Sequence, residues 1–193
     1  MKYLIITSHP YEGSFNAAAV NAVKDAASKK GHEVKIIDLV KDGFNPVMTD
    51  PDLSAWRHGK AVDIKVWEYK DAVAEADILV FPFPVWWGAM PAVLKGFFDK
   101  VFLPGWAYAQ NDDGSLKGLL GGKKAIVITT METPGEVFDT QYQNPVKGAF
   151  LKDTLETCGV ELLAHFQIDK IISGGRAHGE AKIKDIAEYV SKI

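Results

Sequence analysis

The chain has 193 residues, 47% of them hydrophobic and 24% charged, and a formal net charge of −3. A chain of this length suits one domain spanning residues 1–193, able to bury ~70% of the surface its unfolded form exposes, so the fold needs no staples. The mild charge and the lack of a dense Lys/Arg cluster exclude nucleic acid as an expected partner, and no run of about 18 apolar residues calls for membrane insertion. Cys158 is the only cysteine, which precludes an internal disulfide, and the expected location is the reducing cytoplasm.

In chain order, YLIIT (3–7) is a compact apolar strand without polar alternation, as expected for a strand covered on both faces. Ser14 then stands as N-cap to a helix whose stripe runs through Phe15, Ala18, Ala19, Ala22, Val23, Ala26 and Ala27, and Gly31 closes it. VKIIDL (34–39) alternates more and reads as an edge strand. Residues 41–62 read as a long irregular connection, and 63–76 as a helix. DILVFPF (77–83) is a third strand, with Pro82 expected at its end because proline has no N–H to give a ladder. Pro91 opens the next helix. KAIVITT (124–130) is a fourth strand, 146–158 a helix that Cys158 closes as a small buried hydrophobe, and ELLAHFQI (161–168) a fifth strand. A terminal helix is expected over 181–193, with Ile183, Ile186 and Val190 inward.

Strands alternating with helices imply parallel pairing through right-handed crossovers, hence an α/β fold, a three-layer α/β/α sandwich. Ligands of such sheets bind outside the C-terminal strand ends, where the strand order reverses. Three loops qualify: 8–14, 84–90 and 131–146. The first, SHPYEGSF, enters a helix N-terminus, where free N–H groups and the dipole favour a phosphate and Ser8, Ser14 and Asn16 add side-chain hydrogen bonds. Its alternative reading is a plain helix cap at Ser14 and a surface turn at His9. The second loop carries adjacent Trp86 and Trp87, read either as two core aromatics or as one core ring and one wall of a planar ligand site. The third, TTMETPGEVFDTQYQNP, is long and polar, as functional loops often are. A further excursion, 104–122, carries Trp106 and Tyr108, which either cover a flat ligand or fill a subunit contact.

Other chemistry lacks support. There is no G-x-x-x-x-G-K-[ST], G-x-G-x-x-G or G-x-S-x-G, and the five histidines show no ligand spacing, so no metal is expected.

The segments SHPYEGSFN, FNPVMTDPDL, FPFPVWWGAMPAVLKGFFDKVF and GWAYAQNDDGSLKGLLGGKKAIVITT together resemble the flavodoxin-fold NAD(P)H:quinone oxidoreductases. That group includes mammalian quinone reductase, the modulator of drug activity B proteins and the flavin-containing ancillary subunits of bacterial potassium efflux systems. The resemblance implies a five-stranded parallel sheet of order 2-1-3-4-5, FAD or alternatively FMN as cofactor, and NAD(P)H as co-substrate. It implies that His9, Phe15 and Asn16, beside Ser14, hold the phosphate end of the flavin. Pro84, Val85, Trp86, Trp87 and Gly88 would line the isoalloxazine with their amides, while Thr129, Thr130, Met131 and Glu132 approach its pyrimidine end. Trp106 and Tyr108 match aromatics of the quinone and nicotinamide pocket, completed in the family by the second subunit of a homodimer.

Two departures stand out. Met131-Glu132 replaces the Gly-Gly pair of mammalian quinone reductase, and the Tyr/His pair of that enzyme has no histidine counterpart between 131 and 150, leaving Tyr142 as the weak catalytic candidate. The resemblance implies two-electron, ping-pong reduction of a quinone-like acceptor. Two other roles are a flavin-containing regulatory subunit docked on a membrane transporter and a one-electron carrier.

Overall fold

The computed structural model describes residues 1–193. The central elements are β1 (Lys2–Thr7), α1 (Phe15–Lys29), β2 (Glu33–Asp38), α2 (Asp50–Trp56), α3 (Ile64–Glu75), β3 (Ile78–Pro84) and α4 (Ala92–Val101). They continue through β4 (Tyr108–Gln110), β5 (Leu116–Gly118), β6 (Lys124–Thr130), α5 (Gly135–Thr140), a π-helix (Val146–Glu156), β7 (Glu161–Ile168) and α6 (Gly175–Val190). The main sheet is all parallel with order β2-β1-β3-β6-β7. With the β4–β5 hairpin set aside, this is the expected 2-1-3-4-5 order, and β2 lies at one edge.

Side-chain alternation along these strands divides the core into two. Leu4, Leu79, Phe81, Phe83, Ala125 and Val127 face α3, α4 and the π-helix. Tyr3, Ile5, Ile78, Val80, Ile126 and Ile128 face α1 and α6. All seven residues of β3 are buried, and each large apolar side chain there contributes roughly 1.5–3 kcal/mol over exposure.

Pro82 does not end its strand. β3 runs through Pro84 in register with β6, while its ladder with β1 stops at Val80. The amide of Val85 donates to Thr130 O at 2.8 Å. By alternation, the nitrogens of Pro82 and Pro84 therefore face the β1 side, where pairing has already ceased, and neither proline removes a bond to β6.

Other boundaries also differ from the sequence reading. The 41–62 connection contains α2, started by a capping box in which Thr49 accepts from the Asp52 amide and Asp52 from that of Thr49. The 104–122 excursion folds into the antiparallel β4–β5 pair. In the third loop, α5 occupies six residues. Helix 146–158 is π-wound over Val146–Glu156, with Thr154 Oγ1 donating five residues back to Ala149 O at 2.9 Å. Helix α6 begins at Gly175 rather than 181 and ends at Val190, although Ile186 and Val190 are buried as the stripe requires. Its first residues, GRAHGE, carry no apolar period and no capping side chain, and Gly175, Arg176 and Ala177 are exposed; the first side chain held is His178, whose Nε2 lies 2.9 Å from Asp169 O.

One buried ion pair ties the 44–56 segment to α4. Lys100 Nζ lies 3.2 Å from Asp52 Oδ2, and the two side chains are 4% and 8% exposed. Lys100 also donates to Asn45 O and Val47 O at 3.3 and 3.5 Å. Burial pushes the Asp52 carboxyl up, but bonds from Thr49 and Lys100 outweigh it and hold the group below its usual range. Lys100→Met leaves Asp52 buried without its cation, and the expected loss is about 3 kcal/mol of unfolding free energy, measured by urea denaturation.

Candidate functional site

Strands β1 and β3 are neighbours whose chains cross over in opposite directions, β1 toward β2 and β3 toward β6. The loops that leave their C-terminal ends diverge and open a crevice there. The His9 and Trp86 rings, one from each loop, stand 6.2 Å apart at a 59° tilt.

On the first-loop side, Ser14 Oγ accepts from the Ala17 amide at 3.1 Å and caps α1 as expected. The amides of Phe15 and Asn16 precede any intrahelical acceptor and find none elsewhere in the protein. Asn16, 2% exposed, donates from Nδ2 to Thr130 Oγ1 at 2.9 Å, which joins α1 to the end of β6. Its Oδ1 and the hydroxyl of buried Ser8 have no partner. A buried polar atom left unpaired costs about 1–3 kcal/mol. Two such atoms beside two free helix amides form a polar receptor for an anionic or hydrogen-bonding group.

The second loop is a tight turn. The Trp86 amide donates to Ala89 O at 2.9 Å and the Ala89 amide returns a bond to Trp86 O at 3.1 Å. The central residues Trp87 and Gly88 have φ of +52° and +78°, the pattern of a type I′ turn. Glycine accepts this conformation freely, whereas a bulky tryptophan is strained there by about 1–3 kcal/mol, the kind of strain concentrated at functional sites. Trp87 is wholly exposed and Trp86 about half exposed (48%). The amides of Val85 and Trp86 are spent within the protein, and those of Trp87 and Gly88 are free.

The third loop starts at Met131, buried, whose amide donates to Ile168 O at 2.9 Å. Glu132 accepts from the amides of Ser173 (3.2 Å) and Ile172 (2.9 Å), which hold its carboxyl below the usual range. Thr129 Oγ1 lies 2.9 Å from His165 Nε2 on β7. Burial, aided by the Lys147 charge and opposed by Asp139, lowers the His165 pKa to about 4. Thr129 and Thr130 thus serve opposite faces of β6, one toward His165 and the other toward Asn16.

Behind the Trp86–Ala89 turn lies a cavity of about 470 Å³ between α4, the π-helix and the β4–β5 hairpin. Phe83, Phe98, Phe150, Met90 and Tyr108 line it, and Cys158 contributes its base, a thiol that burial pushes up to about 11 and so keeps protonated.

The fold brings His9 to Trp86 and Asn16 to Thr130, with Ser14, Phe15, Pro84, Val85, Trp87 and Gly88 on the same two strand-end segments and Met131 and Glu132 directly after β6. The Phe15 ring itself turns toward α6, where a Cβ at Gly179 would stand 3.2 Å from it. Tyr108 borders the cavity. Trp106 instead packs on Phe102, ring centroids 6.2 Å apart, with Lys70 Nζ 5.4 Å over its face. Tyr142 is exposed on a turn and its hydroxyl has no partner. Sequence reading missed His165, the partner of Thr129, and the hydrogen-bonded cluster of Gln167, Asp139 and Asn144. The Asn-Pro step at 144–145 before an apolar helical run was the available signal.

The family model described as the flavodoxin-like fold matches residues 1–193, and the chain belongs to that family. Within it, the chain belongs with the NAD(P)H oxidoreductases. An uncharacterized NAD(P)H oxidoreductase of Haemophilus influenzae is 32% identical over 83% of this chain and 80% of its own. The human ribosyldihydronicotinamide dehydrogenase [quinone] is 29% identical over 84% of this chain and 79% of its own. Among solved structures, an FMN-dependent NADH-azoreductase from Bacillus anthracis in complex with FMN superposes with a TM-score of 0.78 at 19% identity, covering 99% of this chain and 98% of its own.

His165 sets a pH dependence. Its folded pKa of about 4 lies below the ordinary 6.5, so the unfolded chain takes up a proton that the folded one refuses. Stability therefore declines as pH falls from about 6.5 to about 4 and levels off below. His165→Gln is expected to flatten this component, read from denaturation midpoints of both proteins across that range.

Proposed function

We propose that the chain is a flavin-dependent oxidoreductase that reduces quinone-like planar acceptors with NAD(P)H. The observation that carries this reading is the pairing of the exposed Trp86 and Trp87, on a strained turn, with the unmet polar atoms of Ser8 and Asn16 across the same crevice. An aromatic wall suits a planar ring system, and the α1 N-terminus suits its phosphate. These two requirements belong to one ligand class, a flavin nucleotide.

The residues present fit that group. The amides of Phe15 and Asn16, with Ser8, Ser14 and His9, would hold the phosphate end. The free amides of Trp87 and Gly88 would hydrogen-bond the polar edge of the ring, and Trp86 and Trp87 would shield a ring face from water. A bound flavin supplies the hydride-transfer chemistry that no side chain of this protein can. Fixed amides that cost no reorganisation would favour charge developing beside them. FAD is the proposed cofactor, with FMN, the flavin bound by the azoreductase of similar fold, as the alternative. The wholly exposed Trp87, beside an open apolar cavity, supports a homodimer in which a second copy covers this edge.

Purified protein is expected to be yellow, and chromatography of the released cofactor to give FAD. A colourless protein that takes up neither flavin would refute the reading. With NAD(P)H and a quinone as the varied substrates, a slot used by each in turn predicts parallel double-reciprocal lines. Trp87→Ala is expected to raise the acceptor KM by roughly tenfold, the equivalent of about 1.4 kcal/mol of lost aromatic contact, with little change in melting temperature.

A further inference from the structure

Of the four residues other than glycine with positive φ in this chain, Trp87, Gln143 and Asn144 lie on the two sides of one seam. The seam is a close approach of two loops. Gly88 carries no side chain, but a Cβ there would reach ordinary van der Waals distance, 3.5 Å, of Pro145 Cγ, and Gly88 and Pro145 border the same cavity.

Asn144 governs the Pro145 side. Though in a loop, it is 2% exposed, and every polar capacity of its side chain is used. Nδ2 donates to Asp139 Oδ1 at 2.5 Å and to Gln167 Oε1 at 2.6 Å, while Oδ1 accepts from the Lys147 amide at 3.2 Å. Its backbone amide donates to Phe138 O at 2.9 Å, and its carbonyl accepts from the Lys147 amide at 3.0 Å. Asp139 is further held by Lys147 Nζ at 3.2 Å and Gln167 Nε2 at 3.3 Å. One residue thus joins α5, β7 and the first turn of the π-helix, and fixes the backbone at which Pro145 meets Gly88. Asparagine suits the task because its side chain both donates and accepts, and it tolerates the left-handed backbone.

We propose that Asn144 is a positioning residue for the flavin site: through Pro145 and Gly88 it sets the Trp86–Ala89 turn and so the placement of Trp87 and the two free amides. The inference rests on flavin binding at that turn. The hydrogen bonds of Asn144 reach no residue of the turn, so its influence passes through the close approach of the two loops.

The test is Asn144→Asp, which keeps the backbone preference but replaces the donor with a carboxylate facing Asp139. Amide hydrogen exchange on the flavin-free protein reads the turn directly. The amides of Trp86 and Ala89 are expected to exchange about tenfold faster, with those of β3 and β6 unchanged. FMN and FAD titrated into the same protein are expected to bind about tenfold more weakly. Adding Asp139→Asn restores a donor–acceptor pair with the roles reversed and is expected to recover both quantities. If the single variant does not fold, Gln167→Met, which removes one acceptor of the Asn144 amide, replaces it in the exchange measurement. Unchanged exchange at residues 86–89, in protein whose wild type binds flavin, would overturn the inference. A wild type that binds no flavin, with faster exchange in the variant, would overturn the functional reading and leave the loop coupling standing.

Discussion

Strand β3 has no side chain in contact with water, and that constraint organises everything at the functional edge. A strand buried on both faces is covered by a layer of helices on each side, so its neighbours pair in parallel and every connection crosses over. Because β1 leads toward β2 and β3 toward β6, the loops after β1 and β3 diverge, and the crevice between them follows from the order of strands. The prolines of β3 fit the same constraint. They sit where the ladder to β1 has ended, so the strand keeps full pairing with β6 as its chain peels into the turn at Trp86.

The crevice is built by withholding satisfaction from polar groups that a purely structural fold would pair. Asn16 spends one half of its amide on Thr130 and leaves the other without a partner; the Ser8 hydroxyl has none; the backbone amides of Phe15 and Asn16 at the start of α1 and of Trp87 and Gly88 in the turn have no acceptor in the protein. On the opposite side of β6 the arrangement is reversed. Thr129 bonds to His165, while Gln167, Asn144 and Asp139 bond to one another and hold the loop that approaches the turn. Adjacent threonines on one strand therefore serve two faces, Thr130 toward Asn16 and Thr129 toward His165.

Elements with a strong local signal were legible in advance. The uninterrupted apolar runs gave five parallel strands, and the Ser14 cap and Ala/Val stripe gave α1. Where the sequence reading fell short, the deciding contact was remote or reciprocal. Helix α2 rests on the Thr49–Asp52 capping box and on Lys100, 48 residues along the chain from Asp52. The start of α6 has no apolar period in GRAHGE to announce it, and its first held side chain, His178, bonds to Asp169 O. The backbone of Met131 and the carboxylate of Glu132 are engaged by Ile168, Ile172 and Ser173, partners that only the fold brings near.

By itself the sequence determined the class of fold and which loops leave the C-terminal ends of the strands, because period, capping and chain order are local properties. It also supplied the family resemblance, through motifs that run in order along the chain. Only the tertiary structure decided how those residues divide their hydrogen bonds: which amides of the Trp86–Ala89 turn stay free, that Trp87 is left wholly in water while Trp106 is drawn to Phe102 and Lys70, and that Asn144 is buried. Each of these depends on which distant strand or helix lies within about 3 Å of a polar atom, and no pattern of neighbours in sequence encodes that distance.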